Sequence, residues 1–266
     1  EDMFSAIFRE VMGRDMPRPF VRIPWQEAMD RYGTDKPDLR FELPIVDVTD
    51  LAGECSFGVF RDAAAQGGLV RGINCRGCGL RFTRGNIQEL TDKAVALGAR
   101  GMAWVLLQEN GQVNSILPKY FSPEEFDALL QRLDARPGDF LLFCADAFDT
   151  VCRVLGGLRL HVADALSLRP KDDFAFALVT NFPAFAYDRE EGRFVACHHP
   201  FTMPRPEDVP YLATDPGRVR SQAYDVVLNG VELGSGSIRI HRRDLQEEMF
   251  NILGFSQAQA HSRFGF

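Results

Sequence analysis

Two polar, proline-bearing breaks constrain this chain more than any other feature, one at Thr34-Asp-Lys-Pro-Asp-Leu-Arg40 and one at Pro170-Lys-Asp-Asp173. Proline and clustered charge at such points mark connections between units rather than the interiors of helices or strands. The 266 residues are therefore expected to divide at 43/44 and 170/171. That leaves a middle stretch of comfortable domain size between an N-terminal and a C-terminal segment.

The texture changes across both breaks. In the first segment Met3, Phe4, Ile7, Phe8, Val11 and Met12 recur at helical spacing, and Pro17 and Pro19 close that helix. A second short helix runs from Trp25 to Tyr32 and stops at Gly33. In the middle stretch strands alternate with helices. Strands are expected at 59–61, 68–73, 101–107 and 139–145, and helices at 83–97, 122–133 and 147–166. Ser122-Pro-Glu-Glu125 joins a Ser N-cap, a Pro at the first helical position and a Glu three residues after the cap. Beyond the second break Phe174–Tyr187 reads as one long apolar strand that turns at 188–192 and returns through Arg193–His199. Residues 221–229 and 232–241 form a second hairpin around Asn229-Gly230, and helices follow at 244–253 and 256–264. The fold class so read is α+β: a large antiparallel sheet with helices in the flanks, interrupted by an α+β insertion.

Charge and cysteine usage narrow the function classes. A net charge of -7 leaves no basic nucleic-acid arm, so any RNA contact must come from a local patch. Six cysteines in a chain of this length are not a disulfide framework, and a reducing cytoplasm fits. Cys75-Arg-Gly-Cys78 is the one close pair; it is either half of a zinc site lacking two further ligands or a glycine-rich turn. No stretch reaches the roughly 18–20 apolar residues that cross a bilayer, and no signal peptide opens the chain. It begins without Met on an amphipathic run, as a piece of something longer would.

Two clusters carry chemistry. In Cys197-His198-His199-Pro-Phe-Thr202 adjacent imidazoles on a strand point to opposite faces, which makes a poor chelating pair. They are a pocket-lining His with its neighbour, or a structural pair. In the second cluster Asp225, Glu232 and Arg239 lie on or beside two strands of one hairpin. Two neighbouring carboxylates suit Mg2+ holding a phosphate chain, and an Arg grips a carboxylate bidentately. Gly234-Ser-Gly236 removes side chains where a ligand could approach the backbone. It is not a Walker loop, which needs GxxxxGK[ST] before a helix. The alternative is a glycine bulge on an edge strand under solvated charges.

These stretches, together with Tyr32-Gly-Thr-Asp-Lys-Pro-Asp-Leu-Arg40, Phe182-Pro-Ala-Phe185, Ala223-Tyr-Asp225, Asn229-Gly-Val-Glu-Leu-Gly-Ser-Gly-Ser-Ile-Arg239 and Arg263-Phe-Gly-Phe266, closely resemble bacterial-type aspartyl-tRNA synthetases. They occur in that family's order and at similar spacing over essentially the whole chain. The resemblance implies part of a class II antiparallel-sheet catalytic domain, with 44–170 as the GAD insertion domain shared with the B subunit of the tRNA-dependent amidotransferase. It implies a ligase that joins L-aspartate to tRNA through aspartyl-adenylate, with ATP and Mg2+, as a cytoplasmic homodimer without membrane contact.

Carried over residue by residue, Arg239 binds the aspartate side chain, and His198, then His199, closes the amino-acid pocket. Ser237 and the Gly234–Gly236 backbone line its floor, and Glu232 and Asp225 share ATP and its Mg2+. No residue is assigned as an acid, base or nucleophile. The resemblance places the anticodon barrel and the first two class II motifs before residue 1 and the Gly-Leu-Asp-Arg motif after Phe266. The expectation is that this segment alone does not form aspartyl-adenylate. Whether the parent charges tRNA-Asp alone or tRNA-Asn too stays open. The competing readings are a non-catalytic tRNA- or amidotransferase-binding paralog or module, and a metallohydrolase built on His198 and His199.

Overall fold

A computed structural model of the chain describes residues 1–265; Phe266, the last residue of the closing Arg-Phe-Gly-Phe stretch, lies outside them. In chain order the elements are α1 (Asp2–Met12), β1 (Val21–Pro24), α2 (Trp25–Tyr32), β2 (Ile45–Asp47), α3 (Thr49–Glu54), α4 (Gly58–Ala65), β3 (Leu69–Cys75) and α5 (Arg84–Ala96). Then come β4 (Ala103–Leu107), β5 (Val113–Asn114), α6 (Pro123–Arg132), β6 (Phe140–Asp146) and α7 (Phe148–Ala165). The last are β7 (Phe176–Thr180), β8 (Phe185–Asp188), β9 (Arg193–Ala196), β10 (Ala223–Leu228), β11 (Val231–Ser237), α8 (Arg243–Ile252) and α9 (Gln257–Phe264). The chain forms two compact units, Glu1–Gln26 with Phe174–Phe266, and Glu27–Asp173.

The second unit begins at Glu27, earlier than the break at 43/44, and two contacts explain why. A Cβ on Gly156 of α7 would lie 2.9 Å from the carbonyl oxygen of Gly33, so the end of α2 crosses α7 backbone against backbone. The guanidinium of Arg159, 1% exposed, donates to the carbonyls of Leu43 (3.1 Å), Asp38 (3.0 Å) and Phe41 (2.9 Å) and lies 3.9 Å from the Phe41 ring centroid. Burial pulls its pKa down to about 10. The polar segment 34–43 is thus fastened to α7.

The second unit is a five-stranded antiparallel sheet, order β2-β3-β6-β4-β5, covered on both faces. Alternation along β6 shows how. Phe140, Leu142 and Cys144 pack with Ile87 and Leu90 of α5 and Leu155 and Leu158 of α7. Leu141 and Phe143 face the other way, toward Phe60 of α4 and Leu129 of α6. Burial on both faces is what turns β6 into a continuous apolar run. Ser122 and Glu125 close the expected capping box of α6.

One expected strand, 59–61, is the helix α4 instead, with Phe60 buried and Val59 exposed. A three-residue stretch with only Val59 and Phe60 apolar fits either period, and Asp62-Ala-Ala-Ala65 continues the helix. The helix α3 and the strand β2 carry no sequence signal of comparable strength.

In the first unit the sheet order is β1-β7-β10-β11. It is mixed rather than wholly antiparallel, because β1 runs parallel to β7. The long strand expected over 174–187 is broken: Asn181 sits at φ 57, and β8 leaves to pair with β9 in a separate ribbon. Asn tolerates this left-handed conformation better than most residues. On one face of the sheet α1 buries Phe8 against Phe174 (5.0 Å between centroids) and Phe176 (5.4 Å), with Phe20 stacked on Phe176 at 4.3 Å. Only part of the apolar stripe of α1 is used this way, since Met3, Ile7, Val11 and Met12 remain exposed. A second core joins the β8–β9 ribbon to α8 through Phe185, Met203, Leu212, Leu245 and Met249.

Candidate functional site

The hairpin of β10 and β11 decides which side chains share a face. Asp225 stands opposite Ser235, and Ala223 opposite Ser237. Residues directly opposite in an antiparallel pair project to the same side. Glu232 is three residues from Ser235, so in a regular strand it would face away from it. The ladder slips between Val226 and Val227, leaving Leu233 as an extra residue, and Glu232 registers opposite Val227. This β-bulge gathers Asp225, Glu232, Ser235 and Ser237 on one face. On that face Val179 of β7 pairs with Asp225, and Asp225 is 4% exposed. The opposite face carries Leu178, Val226 and Leu228, packed in the α1 core.

The two glycines of the hairpin differ. A Cβ on Gly236 would lie 2.6 Å from the Tyr224 hydroxyl and 2.7 Å from its Cζ, because the Tyr224 ring crosses that position from the facing strand. The space at Gly236 thus belongs to Tyr224. Gly234 has nothing within 4 Å of such a Cβ and leaves the backbone open.

The return strand stops at Ala196, short of the expected His199, and the histidines sit in the turn that follows. Their rings diverge: His198 lies edge-on against Phe182 at 4.6 Å, and His199 lies 4.7 Å from Phe201. His199 Nδ1 accepts from the Phe201 N–H (3.3 Å), and the His199 carbonyl accepts from the Thr202 N–H (3.0 Å). Thr202 bridges Arg239 in the backbone, and the Arg239 guanidinium lies 4.5 Å from the Phe201 ring centroid. The phenyl ring offers that cation its electron-rich face. Among the described residues no acidic side chain forms an ion pair with Arg239.

Phe201 therefore joins His199 and Arg239, while His198 belongs to the neighbouring Phe182 contact. The organising role of Phe201 went unread although it sits inside His-His-Pro-Phe-Thr. The signal was a phenylalanine two residues from the candidate site residue His199. The two carboxylates, Asp225 and Glu232, form a second candidate pole, on the β10–β11 face.

Every segment that shapes these poles lies in a chain whose whole length, residues 1–266, matches the family described as tRNA synthetases class II (D, K and N). The chain belongs to the class II tRNA synthetases. It is 50% identical over 266 residues to an aspartate–tRNA(Asp/Asn) ligase of Moorella thermoacetica, all of this chain and 44% of that protein. It is 48% identical to an aspartate–tRNA ligase of Ruminiclostridium cellulolyticum, all of this chain and 45% of that protein. A third relative, from Lysinibacillus sphaericus, is 47% identical over the same span. The chain thus spans under half the length of the relatives it matches.

As a donor set for a cation, Asp225 and Glu232 are a pair of carboxylates on one face. That is what Mg2+ uses when phosphate and water oxygens complete its octahedron. Among the described residues no group of three or more His, Cys, Asp or Glu is arranged to hold a metal ion. At the Cys75–Cys78 turn burial pushes both thiols up from their ordinary range. Asp139 organises that turn, accepting from the Gly77 N–H (2.7 Å) and Asn74 Nδ2 (3.0 Å). No helix among the described residues is long and apolar enough to cross a membrane.

Proposed function

We propose that this chain supplies the aspartate-reading wall and one ATP-facing edge of a bacterial-type aspartate–tRNA ligase. The observation that carries the reading is Arg239, a guanidinium seated on Phe201 without an acidic partner among the described residues and next to the His199 turn. An arginine held ready in this way takes a planar carboxylate in two parallel hydrogen bonds. His199, and His198 beside it, close over the amino acid, and Ser237 lines the pocket floor on the Asp225 face.

In the whole enzyme the α-carboxylate of L-aspartate displaces pyrophosphate from ATP to give aspartyl-adenylate, and the terminal ribose hydroxyl of tRNA then takes the aspartyl group with release of AMP. Mg2+, when bound with ATP, neutralises charge on the phosphate chain. Asp225 and Glu232 would hold that ion and orient the nucleotide, and the chain's contribution is positioning and charge complementarity. The substrates are L-aspartate, ATP and tRNA-Asp. The names of some relatives extend the choice to tRNA-Asn. The parent is a cytoplasmic homodimer. Residues 44–170 are the GAD insertion; what supports this is a core of its own on both sides of a five-stranded sheet.

Calorimetric titration of the chain with L-aspartate and with L-asparagine tests the reading. Saturable binding of L-aspartate is expected, at least tenfold tighter than L-asparagine and lost in Arg239→Ala. Equal binding of the two amino acids, or undiminished binding by Arg239→Ala, would contradict it.

A further inference from the structure

The Phe201 ring, which carries the Arg239 guanidinium 4.5 Å from its centroid, is itself held by two other rings. Phe264 of α9 meets it at 5.2 Å and 89°, and Phe250 of α8 at 5.9 Å and 82°. Phe250 and Phe264 stack on each other at 5.1 Å and 7°. We infer, resting on the functional reading above, that Phe201 is a positioning residue for Arg239 and that Phe250 and Phe264 set the tilt of its ring. The helices α8 and α9 thereby bear on how well the chain tells a carboxylate from an amide.

The backbone leaves the Phe201 ring little freedom of place. The Ile240 N–H donates to the Phe201 carbonyl (2.8 Å), and the Met203 N–H donates to the Ile238 carbonyl (2.8 Å). From α8, Gln246 Nε2 donates to the Pro200 carbonyl (2.9 Å). Segment 200–203 is thus tied on one side to the segment around Arg239 and on the other to α8. Edge-to-face ring contacts have a preferred geometry, so Phe250, which is 2% exposed, and the Phe264 stacked on it transmit the placement of the helices to Phe201.

Arg239 is exposed. A long exposed side chain gives up rotamer freedom when it grips a ligand, and a ring that seats the guanidinium in advance removes part of that cost. The saving falls to a ligand that uses the guanidinium. L-aspartate presents a carboxylate for two parallel charged hydrogen bonds, whereas L-asparagine presents an uncharged amide. The ring therefore acts on the difference between the two amino acids rather than on affinity at large.

Calorimetric titration of the 266-residue chain and its variants with L-aspartate and L-asparagine tests this. Phe201→Leu is expected to weaken L-aspartate about three- to tenfold and L-asparagine by less than about twofold, which narrows the discrimination. Phe264→Leu is expected to narrow it in the same direction by a smaller factor. Phe201→Tyr keeps the ring face and is expected to stay within about twofold of wild type. The control is Phe194→Leu. It removes a ring from the same unit that meets Phe185 at 6.2 Å and Tyr187 at 5.3 Å, and is expected to leave the discrimination unchanged.

A second readout needs no ligand. A proton held over a phenyl face resonates upfield. The Arg239 Nε–H signal, identified by its loss in Arg239→Lys, is therefore expected to move downfield in Phe201→Leu and less far in Phe264→Leu. An unmoved signal in Phe201→Leu, equal weakening of both amino acids, or the same narrowing in Phe194→Leu overturns the inference. Wild-type behaviour of Phe264→Leu in both readouts removes the part assigned to α9. A wild-type chain that ignores L-aspartate while its signal moves as expected counts against the functional reading and upholds the aromatic seat of Arg239.

Discussion

Glu232 registers opposite Val227, two residues along β10 from Asp225, because Leu233 is left out of the ladder. The bulge puts the Glu232 carboxylate on the same face as that of Asp225, whereas the spacing of β11 alone would have parted Glu232 from Ser235, Ser237 and Asp225. If the two carboxylates share Mg2+ on ATP, Glu232→Gln is expected to weaken Mg2+–ATP binding at least tenfold while leaving binding of metal-free ATP nearly unchanged. Glu232 is exposed, so its replacement leaves the fold intact. Leu233→Ala is expected to stay within about threefold, since the bulge is a backbone feature. Calorimetric titration with and without Mg2+ measures both. An Mg2+-independent loss in Glu232→Gln would remove the shared-metal reading.

Asp38 is buried, and its carboxylate accepts from Arg40 Nη2 (2.7 Å), Nε (3.0 Å) and backbone N–H (3.1 Å), with Arg169 at 3.8 Å. Burial alone would raise its pKa, but the Arg40 hydrogen bonds and charge outweigh it and hold the carboxyl below its ordinary value. A group whose folded pKa is depressed stabilises the fold above its unfolded pKa, about 3.9, and that contribution is lost as pH falls through the folded value. Asp38→Asn leaves the largely buried Arg40 guanidinium without its carboxylate, while Arg169 keeps Asp164, and is expected to cost about 3–5 kcal/mol at pH 7. The gap between variant and wild type in urea midpoints should shrink as pH drops below about 4. A gap independent of pH would show that Asp38 acts through packing alone.

What was legible in the sequence tracks what local physics dictates. The capping box at Ser122 and Glu125, the turn at Asn229-Gly230 and the helices 83–97 and 147–166 are set by neighbours in sequence, and they stand as expected. The failures are tertiary. Val59 to Arg61 is too short to reveal its period, Asn181 breaks a run whose apolarity is continuous, and the parallel pairing of β1 with β7 joins segments more than 150 residues apart. At the site the residue types were readable, whereas the pairing of His199 with Arg239 through Phe201 and the bulge at Leu233 needed coordinates.

Gly156 marks where α7 and the end of α2 touch. A Cβ there would lie 2.9 Å from the Gly33 carbonyl oxygen and 3.1 Å from that of Tyr32, both backbone atoms that cannot swing aside. Gly156→Ala is expected to destabilise the second unit by about 1–3 kcal/mol, although alanine is the better helix former by about 1 kcal/mol. Gly234→Ala, at a position with nothing within 4 Å, is expected to be near neutral. Chemical denaturation of both variants gives the comparison, and a Gly156→Ala protein as stable as wild type would mean that the helices slide apart freely.

Gly236 and Tyr224 offer a sharper case because the obstacle is a side chain. The Tyr224 ring occupies the Cβ position of Gly236, and Tyr224 is itself 44% exposed. Gly236→Ala must push the ring outward, losing its contact with the facing strand, and the expected cost is about 1–2 kcal/mol. In a Tyr224→Ala background that obstacle is gone, so the same substitution should gain the usual benefit of Gly→Ala in an extended strand, about 0.4–1 kcal/mol. The sign of the effect at 236 therefore reverses with the residue at 224, a coupling that neighbours in contact show and distant sites do not. Equal costs in both backgrounds would mean that Gly236 is needed for a backbone reason or for a ligand's approach, and that the tyrosine merely lies nearby.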